Sequence, residues 1–263
     1  MKNKVSIILV FCILINLIFG MNVQAYDYSN IQNYKFEGID RTVSTIIDNN
    51  ETRTVVVESE GFVTKSVYDK LNNKVTIYQN NNKTKSTELI KKFEFNLDDL
   101  NKKVINSDIT TYANYDQRYV SEYHTGYSYY CAYYPVEFKY DFSLSIPDDS
   151  LATGKTASNS KIYDKASTFK TQLINADDHT RRAVGAFAGL SNAVGMANAV
   201  LAVIQAYNDT NPQTVFDAVV ALIECVPGLG KIVSMADIAS NASLAAALLY
   251  NCRQDFNSIK NLI

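Results

Sequence analysis

The sequence has few of the residues that usually build catalytic or metal centres, with only two histidines and four cysteines in 263 residues. The cluster Asp177-Asp178-His179 contains metal-ligand residue types, but adjacent residues on a helix point in different directions, which favours a solvated helix face. His124 has no Cys or Ser motif beside it. We therefore expect no catalytic residue, no metal site and no cofactor, and hence a protein that is not an enzyme.

A phosphate-binding loop is excluded by one position. The tripeptide Gly154-Lys155-Thr156 resembles the end of such a loop, but the required first glycine would fall at position 149, which is occupied by Asp149. The sequence therefore gives no basis for nucleotide binding.

An excess of basic residues is also missing. The chain has 25 Lys and Arg residues against 27 Asp and Glu residues, a formal net charge of −2. Nucleic-acid binding depends on a basic surface that neutralises phosphates, so we expect no nucleic-acid partner.

The amino terminus has the features of an export signal. Lys2 and Lys4 precede an apolar run over residues 5–19, and Val23-Gln24-Ala25 offers small residues for cleavage. We interpret residues 1–25 as a signal peptide and predict a secreted, extracellular protein. The alternative is a retained anchor helix, but the run is shorter than the ~20 residues of a spanning helix and contains Asn16.

Residues 26–147 form the first predicted domain, which is rich in Tyr, Thr, Val and Asn. Asn-rich turns separate short β-branched runs, a pattern typical of an antiparallel meander of hairpins. Apolar and polar residues alternate without interruption over residues 136–146, which predicts a strand with one buried face.

Tyrosine is concentrated in one part of this domain, where residues 112–140 include ten of the 18 tyrosines of the chain. A tyrosine combines a large apolar ring with a hydroxyl that needs a partner, so a Tyr-rich sheet suits a contact surface. Tyr127, Tyr129 and Tyr133 are our candidate binding face. The alternative interpretation is a structural sheet whose core residues are tyrosines.

Residues 148–263 form the second predicted domain, an Ala-rich hydrophobic helical bundle or hairpin, so the predicted fold class is α+β. Residues 183–208 carry no charge, and we predict one long helix over residues 181–207. Candidate membrane-contact or helix-packing residues on it are the polar stripe Ser191, Asn198 and Gln205 and the small-residue ridge Gly185, Gly189, Ala193 and Ala197.

Two further helices are predicted after this segment. The second begins at Pro212, which fits a first helical turn, and extends to about residue 226; the third follows Lys231. These helices form either a compact bundle or a cover that opens when the protein inserts into a target membrane.

Three cysteines follow the signal peptide, namely Cys131, Cys225 and Cys252. In an exported protein this number indicates one disulfide and one free thiol. Cys225 and Cys252 are the candidate pair if the third helix breaks at Ser240-Asn241, whereas one straight helix would hold them roughly 30 Å apart.

The overall layout resembles the geobacillin-type family of large secreted bacteriocins. The resemblance is based on a Gram-positive signal peptide, on the hairpin segments Gly61-Phe62-Val63-Thr64-Lys65 and Tyr68-Asp69-Lys70-Leu71-Asn72, and on an Ala-rich tail around Val226-Pro227-Gly228-Leu229-Gly230. It implies antibacterial killing of related bacteria without lanthionine chemistry or a catalytic site.

We therefore expect a secreted, non-enzymatic, membrane-active antimicrobial protein. Its C-terminal helices would insert conditionally into a target-cell membrane, or it would bind another surface component. Self-association is a further option, and the sequence identifies no immunity partner. The alternative function is a secreted or cell-surface binding protein that uses the Tyr-rich sheet.

Overall fold

A computed structural model describes residues 31–81, 89–100, 116–189, 193–207, 212–227 and 234–263. The predicted signal peptide and Ser191 lie outside these residues. The fold is α+β, with antiparallel sheets in the N-terminal part and helices in the C-terminal part, as the composition predicts.

The first sheet, sheet A, is a meander in which each strand pairs with the next. Its strands are β1 (Ile31–Phe36), β2 (Ile39–Asp48), β3 (Thr52–Ser59), β4 (Phe62–Asp69), β5 (Lys74–Asn81) and β6 (Leu89–Asn96). Three of its tight turns place Gly38, Gly61 and Asn73 at positive φ, the residue types that adopt this conformation most readily. A short helix, α1 (Leu97–Leu100), follows the last strand.

The second sheet, sheet B, has the strand order β10-β9-β8-β7, with β11 also paired to β9. Its strands are β7 (Asp116–Val120), β8 (Ser128–Tyr134), β9 (Lys139–Ile146), β10 (Asp149–Ala152) and β11 (Thr156–Ala157). The alternation predicted for β9 is confirmed at Phe142, Leu144 and Ile146, which are buried. Val136 and Phe138 belong to the preceding turn and are exposed, so the alternating pattern extends beyond the strand.

The helices of the described chain after sheet B are α2 (Lys161–Gly185), α3 (Ala193–Ala206), α4 (Pro212–Cys225) and α5 (Met235–Lys260). The single helix predicted over residues 181–207 is wrong. The chain leaves α2 after Gly185, and Gly189 then adopts φ +87°, which an α-helix cannot accommodate. α5 continues through Ser240 and Asn241 without a break.

The buried side chains form one core that both sheets and the helices share. Val57 of sheet A, Phe142 of sheet B, Phe216 of α4 and Leu249 of α5 all belong to it. The boundary predicted after residue 147 falls within sheet B, between β9 and β10. The β-rich and helical parts therefore depend on each other for burial.

Helix α4 lies at the centre of this core, and 12 of its 14 residues are buried. One side of α4 packs on strands β3, β4 and β5 of sheet A, and α5 covers another side. None of the helices in the described part of the chain combines the length and the apolar composition that a membrane span requires.

Candidate functional site

The predicted small-residue ridge is not formed. Gly185 ends α2 and Gly189 lies in the turn that follows, both exposed, whereas Ala193 begins the next helix and Ala197 packs against the core. A ridge at spacing four requires one continuous helix, and the turn after α2 interrupts it.

The two described residues of the predicted polar stripe bind backbone carbonyls from other elements. The Asn198 Nδ2 donates to the Leu100 carbonyl oxygen at 2.7 Å, and the Gln205 Nε2 donates to the Tyr123 carbonyl oxygen at 3.0 Å. These bonds attach α3 to the segments that follow sheet A and β7. Their geometry gives the two side chains a structural role in the folded protein.

The candidate tyrosines do not form one exposed face. Tyr127 is 2% exposed and its hydroxyl accepts from the Arg253 Nε at 3.0 Å, so it attaches the loop before β8 to α5. Tyr129 is 4% exposed and also belongs to the core. Tyr133 is half-buried, and it faces the space between sheet B and α2.

That space is a cleft of about 350 Å³. It is mainly aromatic on the sheet side and polar on the helix side. Its lining residues are Gln117, Tyr129, Cys131, Tyr133, Tyr140, Phe142, Tyr163, Ser167, Lys170 and Thr171.

The sheet side of the cleft follows from strand alternation. Tyr129, Cys131 and Tyr133 are spaced by two on β8, so their side chains share one face. In the antiparallel register Cys131 pairs with Phe142 and Tyr133 pairs with Tyr140, which extends this face onto β9. The result is a continuous aromatic wall.

The helix side follows from helical spacing. Ser160 caps α2, because its hydroxyl accepts from the Tyr163 backbone N–H at 3.0 Å. Tyr163, Ser167 and Lys170 are separated by four and three residues, which places them on one face of the helix. This face lies opposite the aromatic wall.

The tyrosine rings of the cleft contact one another. The Tyr140 ring centroid lies 4.7 Å from that of Tyr133 and 4.8 Å from that of Tyr163. Both pairs have tilted rings, so the rings present edges as well as faces to the cleft.

Lys170 supplies the positive charge of the cleft. Its Nζ lies 5.6 Å from the Tyr129 ring centroid and donates to the Gln117 Oε1 at 2.6 Å. An ammonium group has three donors, so further donors remain for a ligand. The described lining residues include no carboxylate that would neutralise this charge.

Burial makes the acidic groups of the cleft harder to deprotonate. It raises the pKa values of the Tyr129 and Tyr140 hydroxyls and that of the Cys131 thiol. The hydroxyls therefore remain hydrogen-bond donors. The thiol remains protonated and is a poor nucleophile, because the thiolate is the reactive form.

Asp177 of α2 bonds β7 and the loop that follows it. The prediction that Asp177 lies on a solvated helix face is wrong. Asp177 is 1% exposed and accepts hydrogen bonds from the Tyr119 hydroxyl at 2.6 Å, the Ser121 hydroxyl at 2.6 Å and the Glu122 backbone N–H at 2.8 Å. Its neighbour Asp178 is 41% exposed and pairs with Arg181 and Arg182, and His179 is half-buried with its Nδ1 2.8 Å from the Asn241 Oδ1.

A sequence signal for this burial exists. Leu173 lies four residues before Asp177, and Ala176, Thr180 and Ala183 continue the same stripe, all of them buried. Thr180 binds His124, whose Nε2 lies 2.9 Å from the Thr180 Oγ1. Asp177 and Thr180 therefore hold the loop after β7 onto α2, beside the end of the cleft.

The predicted Cys225–Cys252 disulfide is not formed. All three described cysteines are buried free thiols. Cys225 donates to the Arg53 carbonyl oxygen at 3.3 Å, next to sheet A, whereas the Cys252 Sγ lies 3.6 Å from the Phe169 carbonyl oxygen on α2. The unbroken α5 keeps the two residues against different elements, as the straight-helix alternative requires.

The described residues contain no group of three or more His, Cys, Asp or Glu side chains arranged to hold a metal ion. The tyrosine cleft is therefore the arrangement that we assign as the candidate site. Comparisons with protein-family models, with curated proteins and with solved structures found no match for this chain.

Proposed function

We propose that this protein is a secreted, non-enzymatic binding protein whose tyrosine cleft holds a short segment of a cell-surface glycan. The observation that carries the proposal is the composition of the cleft. Its lining combines the aromatic rings of Tyr133, Tyr140 and Tyr163 with the polar groups of Gln117 and Lys170.

The chemistry of the cleft fits a sugar. Aromatic rings provide a flat apolar surface for the C–H face of a pyranose, and tyrosine hydroxyls, an amide and an ammonium group bond its hydroxyls. A cleft of about 350 Å³ lies near the lower end of the roughly 300–1,000 Å³ range of small-molecule sites. This size suits one or two sugar units.

The charge of the cleft narrows the class of glycan. Lys170 has no carboxylate beside it in the described lining, so the cleft favours a neutral or anionic sugar over a cationic one. A uronic acid or a phosphate-substituted sugar would place its negative charge next to the ammonium group.

Titration of the mature protein with defined neutral and anionic oligosaccharides, followed by calorimetry or NMR, tests this proposal. Tyr133→Ala should weaken binding at least tenfold, and Lys170→Met should weaken the anionic ligands more than the neutral ones. Tyr130→Ala is the matched control, because Tyr130 is 36% exposed on the opposite face of the same strand.

Two results would count against glycan binding. One is the absence of binding by any neutral or anionic oligosaccharide at millimolar concentration. The other is an equal effect of Tyr133→Ala and Tyr130→Ala, which would place the ligand outside the cleft.

A second candidate function is antibacterial, bacteriocin-like action by conditional membrane insertion of the C-terminal helices. The observation that favours it is the shielding of α4, the helix with 12 of 14 residues buried. Its carboxylates are compensated from sheet A, since Asp217 pairs with Arg41 at 2.5 Å and Glu224 lies 4.0 Å from Arg53. Insertion would require α4 to leave sheet A.

An engineered disulfide can test that release directly. Burial raises the pKa of the Cys225 thiol to about 11, while the Ser66 hydroxyl beside it acts in the opposite direction. The Ser66→Cys variant would offer Cys225 a second thiol on β4, and the mass of the oxidised variant verifies whether the bond that attaches α4 to β4 has formed.

Leakage of dye from liposomes and growth of Gram-positive indicator strains are the measurements. Release predicts activity for the natural protein and for reduced Ser66→Cys, and loss of activity for the oxidised variant. The natural protein treated with the same oxidant is the control. Equal leakage from the oxidised and reduced variant, or no leakage and no growth inhibition by the natural protein, would reject this candidate.

A further inference from the structure

The turn between β8 and β9 exposes a compact group of apolar side chains. Val136 is 91% exposed, Phe138 is 73% exposed and Tyr134 is 37% exposed. These three residues, together with Glu137, make up what we term the hairpin tip. Single exposed apolar residues are common on protein surfaces, but three within five positions at one convex turn are a patch.

The backbone at Phe138 gives a second, independent indication. Phe138 has φ +53°, the left-handed region in which a bulky side chain is unfavourable. At other tight turns of the same chain this conformation is taken by Gly38, Gly61, Asn73 and the unbranched, polar Glu37. Phe138 is thus both strained and exposed, so neither conformation nor burial accounts for a phenylalanine at this position.

Two lysines lie next to the hairpin tip. The Lys155 Nζ is 4.4 Å from the Tyr134 ring centroid and pairs with Glu137, while the Lys139 Nζ is 3.9 Å from the Glu137 carboxylate. Both lysines are more than 40% exposed. The charged groups that pair at the tip are two lysines and one glutamate, while Asp141 on β9 also acts on Lys155 and the chain as a whole has a net charge of −2.

We infer that the hairpin tip docks the protein onto an anionic lipid bilayer. Phe138 and Val136 enter the boundary between headgroups and acyl chains, Tyr134 lies at headgroup level, and the two lysines contact anionic headgroups. Aromatic side chains favour this interface, and lysines add attraction to anionic lipids.

The size of the tip favours a bilayer over a protein partner. A phenylalanine buries roughly 150–250 Å² when it is covered. One Phe, one Val and a partly exposed Tyr fall well short of the roughly 1,200 Å² that a stable protein interface buries. A bilayer surrounds a convex tip on all sides and needs no matching pocket.

The position of the tip also relates it to the cleft. Tyr133 and Tyr140, which line the cleft, pair with each other one position behind the turn of the same hairpin. Docking through the tip would hold the cleft close to the membrane surface. The inference does not depend on glycan binding or on release of α4, because docking leaves the fold closed.

Tryptophan fluorescence provides a site-specific test, since the chain contains no tryptophan. Phe138→Trp should show a blue shift and quenching by brominated lipids on addition of vesicles of equal parts phosphatidylglycerol and phosphatidylcholine. Vesicles of phosphatidylcholine alone should give a weaker response. Leu71→Trp is the matched control, because Leu71 is 74% exposed at the β4–β5 turn, where the lysines on either side pair with carboxylates, Lys70 with Asp48 and Lys74 with Glu94.

Cosedimentation with the same vesicles tests the tip without a reporter. Val136→Ser combined with Phe138→Ser should lower the bound fraction about tenfold or more, and Leu71→Ser should leave it unchanged. Phe138→Gly separates binding from folding, because it should also lower vesicle binding while raising the unfolding temperature through relief of the positive φ.

Several outcomes would overturn docking on lipid. One is an equal fluorescence response of the Phe138→Trp and Leu71→Trp variants to vesicles. Another is vesicle binding that survives the double serine substitution. A blue shift of Phe138→Trp that depends on protein concentration without vesicles would assign the tip to contact between two copies of the chain. If the vesicles keep an enclosed dye while the protein binds to them, the protein docks without inserting α4; leakage would instead indicate insertion.

Discussion

The Arg41 Nε lies 2.5 Å from the Asp217 Oδ1, and both side chains are fully buried between sheet A and α4. The other Asp217 oxygen accepts from the Ser59 hydroxyl at 2.6 Å, and Arg41 also donates to the Phe36 and Ile39 carbonyl oxygens. The pair is therefore bonded on all sides, and it fixes the position of α4 on the sheet.

We expect removal of either partner to destabilise the protein strongly. Arg41→Met or Asp217→Asn leaves a buried group without its opposite charge, which costs roughly 3–5 kcal/mol. The double variant Arg41→Met/Asp217→Leu should be more stable than either single variant, because no uncompensated charge remains. Urea unfolding followed by circular dichroism measures these differences.

The exposed pair Lys35–Asp40 is the control for that comparison. Its atoms are 3.7 Å apart and its side chains are 66% and 86% exposed. Asp40→Asn should therefore leave the free energy of unfolding unchanged within error. A similar loss in Asp40→Asn and Asp217→Asn would show that the buried pair has no special role.

Asp177 and Asp178 offer a second matched comparison on one helix. Asp177→Asn weakens a buried site that accepts three hydrogen bonds, so we expect a loss of about 2–4 kcal/mol in the free energy of unfolding. Asp178→Asn removes only exposed ion pairs and should have little effect. Equal effects in urea unfolding would contradict the burial of Asp177.

His124 should make the stability depend on pH. The side chain is buried, and burial lowers its pKa to about 3 although the Asp177 carboxylate lies 3.8 Å from its Nε2, against about 6.5 in an unfolded chain. Between these values the unfolded state binds a proton that the folded state does not, so the free energy of unfolding falls as the pH drops below about 6.5. The loss approaches about 1.4 kcal/mol per pH unit.

Comparison with His124→Gln isolates this contribution, because every other ionisable side chain is present in both proteins. We expect the wild-type free energy of unfolding to fall more steeply than that of the variant between pH 6.5 and pH 4. Parallel pH profiles would show that His124 binds a proton equally in the folded and the unfolded protein, and would contradict the lowered pKa.

Local patterns predicted the type of several elements correctly. The fold class, the start of α4 at Pro212 and the buried face of β9 all follow from the spacing of apolar residues and from proline chemistry. These features depend on residues close together in the chain, so the sequence contains the necessary information.

Contacts between distant segments were not predictable in this way. Asp177 is buried because Tyr119 and Ser121, more than 50 residues earlier, supply donors to it. The Tyr133–Tyr163 cleft likewise needs β8 and α2 to meet, and tyrosine density alone gave no indication of which rings are buried. The break after Gly185 was missed because an uncharged, Ala-rich run continues across it.

Gly126 combines two constraints that a single substitution can separate. It has φ +91°, and a Cβ at this position would lie 2.6 Å from the Pro147 Cα. Gly38 has a similar φ of +81°, but a Cβ added to it would have no atom within 4 Å. Gly38→Ala should therefore lower the free energy of unfolding only by the strain of an alanine in the left-handed conformation, roughly 1–2 kcal/mol.

Gly126→Ala should lower the free energy of unfolding further than Gly38→Ala does, because the backbone of Pro147 must also move. Such overpacking typically adds about 1–3 kcal/mol, so we expect a total loss of roughly 2–5 kcal/mol. Thermal or urea unfolding of the two variants side by side gives the difference. If Gly126→Ala lost no more than Gly38→Ala, the loop after β7 would not be packed tightly against the β9–β10 turn. A larger loss would instead confirm that close packing at Gly126 holds this loop, which also carries His124, in place.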